Sequence, residues 1–570
     1  MKMKQDVQAA VYRRSLLCVP VIAALSLGLP GCGAESAGLR ASAGSDTFNR
    51  ASGVNSAAGV PEAVATRNPI VWADVPDVSV IRVGDNYYMS STTMHMNPGL
   101  PILKSRDLVN WTLLGYAYDT LVDNAQMNLE DGKNAYGKGS WASSLRYHDG
   151  RFYVSTFSAT SGKTHVYRTD DIERGNWHET AFEPDLHDHS LFFDDGRVFM
   201  VYGSNEIRLV ELEEDFSGIK ADGINQVIIA DAGKVAGEDI LLPAEGSQLH
   251  KIDGRYYLMN ITWPRNGMRT VVIHRADQLT GPYEGRVALQ YQGIAQGGLI
   301  DTPEGDWYAL LFGDRGAVGR IPYLVPVTWK EGWPILGREG AVPTTLNVPV
   351  NGKPVANTNV AGMVTSDEFD QPRLPLPWQW NHNPDNDHWS LSARPGYLRL
   401  TNGRVDTDLL QARNTLTQRT FGPESTAEVR LDLSAMHDGD VAGLTLLQKH
   451  YGYVGVVREA GERFIVMMSA EGESPRELDR VRLQGDVVYL KAHADFRDLK
   501  DTAHFSYSTD GEAWLAIGAP LAMTYTLPHF MGYRFGLFSF ATAEPGGHVD
   551  FDYFRLDKPA PYMRGPTLPL

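Results

Sequence analysis

Three acids stand at one position of a repeated pattern. Asp77 lies eight residues before the turn at Asp85, Asp188 eight before Gly196, and Glu245 nine before Gly254. Two further copies, turning at Gly150 and Gly305, carry Trp141 or Ala142 and Gln296 there instead. Like charges gathered in a low-dielectric pocket are costly. Three acids converging there imply a compensating cation, a shared proton or a catalytic use. The plainer alternative is that each caps the start of a strand.

Whether the acids converge depends on the elements that carry them. Each copy has alternating apolar residues before an Asp/Gly turn and aromatic or β-branched residues after it, as in His148-Asp149-Gly150-Arg151-Phe152-Tyr153 and Ile252-Asp253-Gly254-Arg255-Tyr256-Tyr257. That is the pattern of antiparallel hairpins. Five copies at spacings of roughly 45 to 65 residues, all strand and no helix, predict the blades of a β-propeller. Equivalent positions of all blades face one axis, which would bring Asp77, Asp188 and Glu245 into one central pocket.

At 570 residues, 43% hydrophobic and 10% aromatic, the chain is long enough for two globular domains beyond a leader. Residues 1–31 read as a targeting segment: Lys2, Lys4, Arg13 and Arg14, an apolar run too short to span a bilayer comfortably, then Leu29-Pro30-Gly31-Cys32. That ending resembles a bacterial lipoprotein box. It makes Cys32 the expected lipidation site and the membrane a partner through that anchor. Of the two cysteines, Cys18 lies inside the leader, so the mature chain can form no disulfide framework and no cysteine metal site.

Residues 32–66, rich in Ala, Gly and Ser, read as a flexible tether. The propeller is expected over 67–340, an extended connector over 341–365, a β-sandwich of two sheets over 366–557, and a tail over 558–570. The formal charge of -17 disfavours nucleic acid and suits a neutral substrate such as a sugar. Asp367, Glu368, Asp550 and Asp552 could bind a structural calcium, although solvated edge acids are the preferred reading and no metal is assigned. No HExxH, P-loop, dinucleotide glycine pattern or EF-hand loop occurs, so no organic cofactor is expected to be required.

The stretch Asp77-Val78-Ser79-Val80-Ile81-Arg82-Val83-Gly84-Asp85-Asn86-Tyr87-Tyr88, with Ser105-Arg106-Asp107-Leu108-Val109-Asn110-Trp111, resembles the opening blade of glycoside hydrolase family 43. Asp188-His189-Ser190-Leu191-Phe192-Phe193, Glu245-Gly246-Ser247-Gln248-Leu249 and Val327-Thr328-Trp329 are similar to its later blades. The second domain is similar to the concanavalin-like sandwich of the family's β-xylosidases and arabinofuranosidases.

The resemblance implies an exo-acting, inverting hydrolase of xylose- or arabinofuranose-bearing oligosaccharides. Asp77 would be general base, Glu245 general acid, Asp188 the modulator of the acid, and Arg320 a contact to the sugar and the carboxylates. Trp141, Trp72, Trp263 and Phe312 are candidate sugar platforms, Trp141 foremost. The family's last blade often begins with a histidine that helps hold an axial calcium. Gln296 stands there instead, which leaves that ion unassigned. A glycan-binding lipoprotein without catalysis and a fructan- or sucrose-cleaving propeller are the rival readings. The first is disfavoured by the presence of all three acids, and the second by the lack of an Asn-Asp-Pro-type motif.

Overall fold

The Asp-Gly pairs fold as tight hairpin turns with both central residues left-handed: φ is 47° and 80° at Asp149-Gly150, 48° and 72° at Asp195-Gly196, and 49° and 79° at Asp253-Gly254. Such turns match the twist of the strands they join. Each hairpin grows into a four-stranded antiparallel sheet, and there are five of these among the described residues. Their first strands are Ser79–Val83, Ser144–His148, Ser190–Asp194, Ile240–Ile252 and Ala295–Asp301. These strands touch one another in cyclic order, and the fifth returns to the first. The predicted five-bladed propeller is thus present, with Asp77 and Asp188 just before the axial strands of blades 1 and 3 and Glu245 inside that of blade 4. The computed structural model describes residues 66–557 apart from 351, 352, 355–359, 361, 473 and 528. The leader, Cys32, nearly all of the tether and the tail lie outside the described residues.

Short side chains stitch the ring. Backbone N–H groups of Leu145, Leu191 and Leu249 donate to the hydroxyls of Ser79, Ser144 and Ser190, one blade back in each case, all at 3.0 Å. Inner strands cannot pair edge to edge here, so these bonds satisfy N–H groups that would otherwise be buried unpaired. Among the described residues the ring closes without strand exchange. The segment preceding blade 1 lies along blade 5: Asn68 exchanges hydrogen bonds with the backbone of Leu324, Ile70 N–H donates to Pro322 C=O, and Val75 N–H donates to Arg320 C=O.

The second domain is a sandwich of a seven-stranded and an eight-stranded sheet. One strand of the larger sheet comes from the propeller: Met96 and Asn97, in a loop of blade 1, pair antiparallel with Asn381 and Trp380. Ala73 bridges Phe421, and Gly422 N–H donates to Trp72 C=O at 2.8 Å. The four acids considered for calcium are each engaged otherwise. Asp550 pairs with Arg399 and Arg394, Asp552 with Arg430 and Glu368 with Arg555, while Asp367 accepts from Phe369 N–H and Trp378 Nε1–H. Their oxygens do not converge on a cation cage, so these residues do not fit a calcium ion.

A chain ending at Gly340 would expose Trp72 and Met96, which are 3% and 1% accessible in the folded protein. We expect it to be insoluble or nearly inactive, as the soluble fraction and residual turnover would show.

Three imidazoles seal the contact between propeller and sandwich. His95 lies 4.7 Å from His382 between ring centroids, and His529 stacks on Tyr136 at 4.0 Å. All are buried. Burial, first, pushes His95 down to about 3, with Arg534 adding to it. It also holds His382 and His529 well below the ordinary range, with neighbouring cations and imidazoles contributing. An unfolded chain protonates these rings below about pH 6.5, whereas the native one keeps them neutral. Their stability contribution is therefore complete above that pH and is lost on acidification, at about 1.4 kcal/mol per pH unit for each ring. Melting temperature should fall steeply from pH 6.5 to 5, and His95→Phe should flatten that slope.

Candidate active site

Asp77 opens the axial strand of blade 1 in a left-handed conformation, φ 52°, and Asp188 does the same in blade 3 at φ 46°. Asp tolerates this region better than most residues. Glu245 arrives differently. It pairs with Ile261 on the long first strand of blade 4, with a register shift on each side and Gly246 following at φ 69°. Bulges re-aim a side chain in this way. Ser247 N–H donates to Asp188 C=O at 3.2 Å, tying the acid-bearing positions of blades 3 and 4 together.

The site has two halves. In the first, Asp77 is 4% exposed and its Oδ1 accepts from an Arg320 guanidinium nitrogen at 2.9 Å. Arg320 also lies 3.5 Å from Asp314, which pairs with Arg269 at 2.9 Å. Its guanidinium carbon stands 4.8 Å from the ring centroid of Phe312 and 4.3 Å from that of Phe530. Burial pushes the Asp77 carboxyl up, while Arg320 and then Arg269 pull it back. Burial outweighs them, so the cations offset only part of the cost of ionising a base in this desolvated place.

In the second half, His187 Nε2 is 3.0 Å from Glu245 Oε2 and 3.9 Å from Asp188 Oδ2, and the Ser204 hydroxyl reaches Glu245 Oε2 at 3.4 Å. The 3.0 Å separation is that of a hydrogen bond, in which one proton serves His187 and Glu245. Asp188 is driven well above the ordinary carboxylate range, first by burial and then by the charges of Glu245 and Asp77, with His187 and Arg320 opposing. The second half is therefore built to retain a proton, whereas the first is held by cations. Such a division of environments separates an acid from a base.

The aromatic candidates divide. Trp141 lines the site, its ring 4.9 Å from Phe530 and 6.0 Å from Phe157. Trp263 stands at its edge beneath Arg269, whose guanidinium carbon is 5.6 Å from the ring. Trp72 and Phe312, expected as sugar platforms, are instead buried at 3% and 0% exposure, and neither can present a face to a sugar. Trp72 is a wedge under Gly422 at the domain contact, and Phe312 supports Arg320 from behind. Gln296 packs against Gly246, where an added Cβ would stand 2.7 Å from its side chain. It thereby braces the residue after Glu245.

Sequence reasoning missed His187, Asp314, Arg269 and Phe530. His187 was legible as the neighbour of Asp188. Phe530 was not, because it belongs to the sandwich and reaches the site only through the domain contact.

The match to known proteins agrees with this geometry. Residues 66–334 match the model of glycosyl hydrolases family 43, and residues 366–557 that of the beta xylosidase C-terminal concanavalin A-like domain. A beta-xylosidase of Formosa agariphila is 30% identical across 87% of this chain and 90% of its own. A non-reducing end alpha-L-arabinofuranosidase of Bacteroides ovatus is 29% identical across 70% and 77%. Among solved structures, a bifunctional GH43-CE protein of Bacteroides eggerthii superposes with a TM-score of 0.85 at 56% identity over 87% of this chain, which spans 64% of that one. An engineered GH43 glycoside hydrolase with endo-xylanase and exo-arabinofuranosidase activity gives 0.78 at 31% identity over 87% of this chain and all of its own. With paired acids from blades 1 and 4 at its axis and the matching sandwich behind them, this chain belongs to glycosyl hydrolases family 43.

Proposed function

We propose that this glycoside hydrolase removes single xylose or L-arabinofuranose units from the non-reducing ends of plant cell-wall oligosaccharides, with inversion. The observation that carries the reading is the division of the site. Asp77 is held by Arg320 on one side, and Glu245 is grouped with His187 and Asp188 on the other. Phe530 of the sandwich packs over Arg320 and against Trp141, closing the propeller beside Asp77, which favours a short terminal sugar over a long chain running through. Asp77, ionised, takes a proton from the attacking water. Glu245, protonated, gives one to the departing oxygen. Asp188 disfavours loss of that proton before the sugar binds. Arg320 orients Asp77 and is placed to meet the sugar hydroxyls. No organic cofactor enters this chemistry. The chain would work in the cell envelope, tethered through a lipid on Cys32.

The test is a panel of aryl pentosides and xylo- and arabino-oligosaccharides, with early products read by proton NMR. Inverting pairs stand about 6.5–9.5 Å apart to admit water, and retaining pairs about 5–5.5 Å. A β-xyloside should first yield α-xylose. β-Xylose first would mean a retaining enzyme, and no turnover on any pentoside would favour a glycan-binding protein.

A further inference from the structure

Asp74 lies three residues before the base, where propeller and sandwich meet. It is buried, and both of its oxygens are committed to backbone donors from different domains. Oδ1 accepts from Arg320 N–H at 2.8 Å, and Oδ2 accepts from Gly532 N–H at 3.0 Å. Its own backbone C=O accepts from Arg419 Nε–H of the sandwich at 2.8 Å.

The approach is close enough to dictate residue types on both sides. A Cβ added to Gly319, at φ 101°, would stand 2.2 Å from Asp74 Oδ1, and one on Gly532 would stand 2.2 Å from Val318 C=O. Two residues before Gly532 is Phe530, whose ring lies over the Arg320 guanidinium. One residue after Gly319 is Arg320, which holds Asp77.

We propose that Asp74 is a positioning residue that sets the ring of Phe530 and the base's partner together, by fastening the Phe530 loop of the sandwich to the backbone of Arg320 through one carboxylate. Only an acceptor-only side chain with two oxygens can do this. An amide would turn an N–H toward one of the two backbone N–H groups and repel it. The sandwich thereby belongs to the catalytic site as well as to the core, and a displacement of about 1 Å at either end is of the size that costs about 10²-fold in rate.

The inference rests on the proposed pentosidase reading for its kinetic arm, whereas its hydrogen-exchange arm needs no activity. In full-length protein, Asp74→Asn should raise amide exchange across 524–534 and lower kcat/KM on an aryl pentoside about 10²-fold. Phe530→Ala should lower kcat/KM in the native background yet have under about a twofold further effect when added to Asp74→Asn, since that ring is already detached. Gly532→Ala, which forces the same contact apart without touching Asp74, should reproduce the exchange pattern and replaces Asp74→Asn if that variant does not fold. Losses that multiply independently, or unchanged exchange over 524–534 in a folded variant, would overturn the proposal. Absence of turnover in the native protein, with exchange responding as expected, would count against the pentosidase reading alone.

Discussion

Asp77→Asn should abolish turnover on every substrate, aryl or natural, with a loss of about 10³- to 10⁴-fold. Asparagine is the informative replacement because the site demands a left-handed backbone at this position, φ 52°. Asn accepts that conformation, while Ala would add strain to the loss of the base. The amide keeps the volume and one oxygen for Arg320, so binding of the sugar should survive and KM should change far less than kcat. What disappears is the proton acceptor, and no leaving group can replace it, because water must still be deprotonated as it attacks. The variant removes the Asp77 charge from beside the buried Arg320 guanidinium, with Asp314 still 3.5 Å away, so its melting temperature must be measured alongside. Removing one member of a buried pair can cost about 3–5 kcal/mol. A folded Asp77→Asn protein that retains activity on any pentoside would remove Asp77 from the role of base.

The parts of this molecule that could be read from sequence are those fixed locally. The Asp-Gly pairs at 149–150, 195–196 and 253–254 must take left-handed conformations to close a two-residue hairpin, and the alternation on either side must place one face inward. Counting back from such turns reaches the acid positions because strand register is rigid. The same counting cannot see the pairing of Met96 with Asn381, which joins residues 285 apart through two backbone segments too short to show a period. It puts Trp141 foremost, beside the axial register, but cannot remove Trp72 from the candidates. Both are tryptophans near a blade start, and only the arrival of Gly422 on one and Phe530 beside the other makes the first a wedge and the second a wall. Roles that depend on a second domain closing over the first are invisible to a local pattern.

The same division explains why the acid half of the site was only partly legible. Glu245 reaches the pocket through bulges, whose register shifts between Leu242 and Glu245 and between Glu245 and Gln248 no alternation announces. His187 precedes a left-handed Asp188, so its ring emerges on the pocket side of the same turn that aims the modulator. Adjacent residues thus serve the acid from two directions, one as a charge and one as a hydrogen-bond partner.

Glu245→Gln should therefore separate substrates by leaving group. A departing sugar alkoxide needs a proton as the bond breaks, and loss of the donor should cost about 10²- to 10⁴-fold on xylo- or arabino-oligosaccharides. A nitrophenolate departs without one, so an aryl pentoside should be hydrolysed within about tenfold of the native rate, its loss confined to geometry. The geometric part should be small because glutamine keeps the side-chain length that meets His187 and Ser204, and can place its amide N–H toward His187 Nε2. Asp188→Asn should behave differently, since the modulator's charge acts on both the acid and its neighbour His187. It should slow both substrate classes while leaving a donor in place. Comparison of kcat/KM for a nitrophenyl xyloside and for xylobiose in the two variants makes the distinction. Equal losses on both substrates for Glu245→Gln would remove Glu245 from the acid role, whatever Asp77 does.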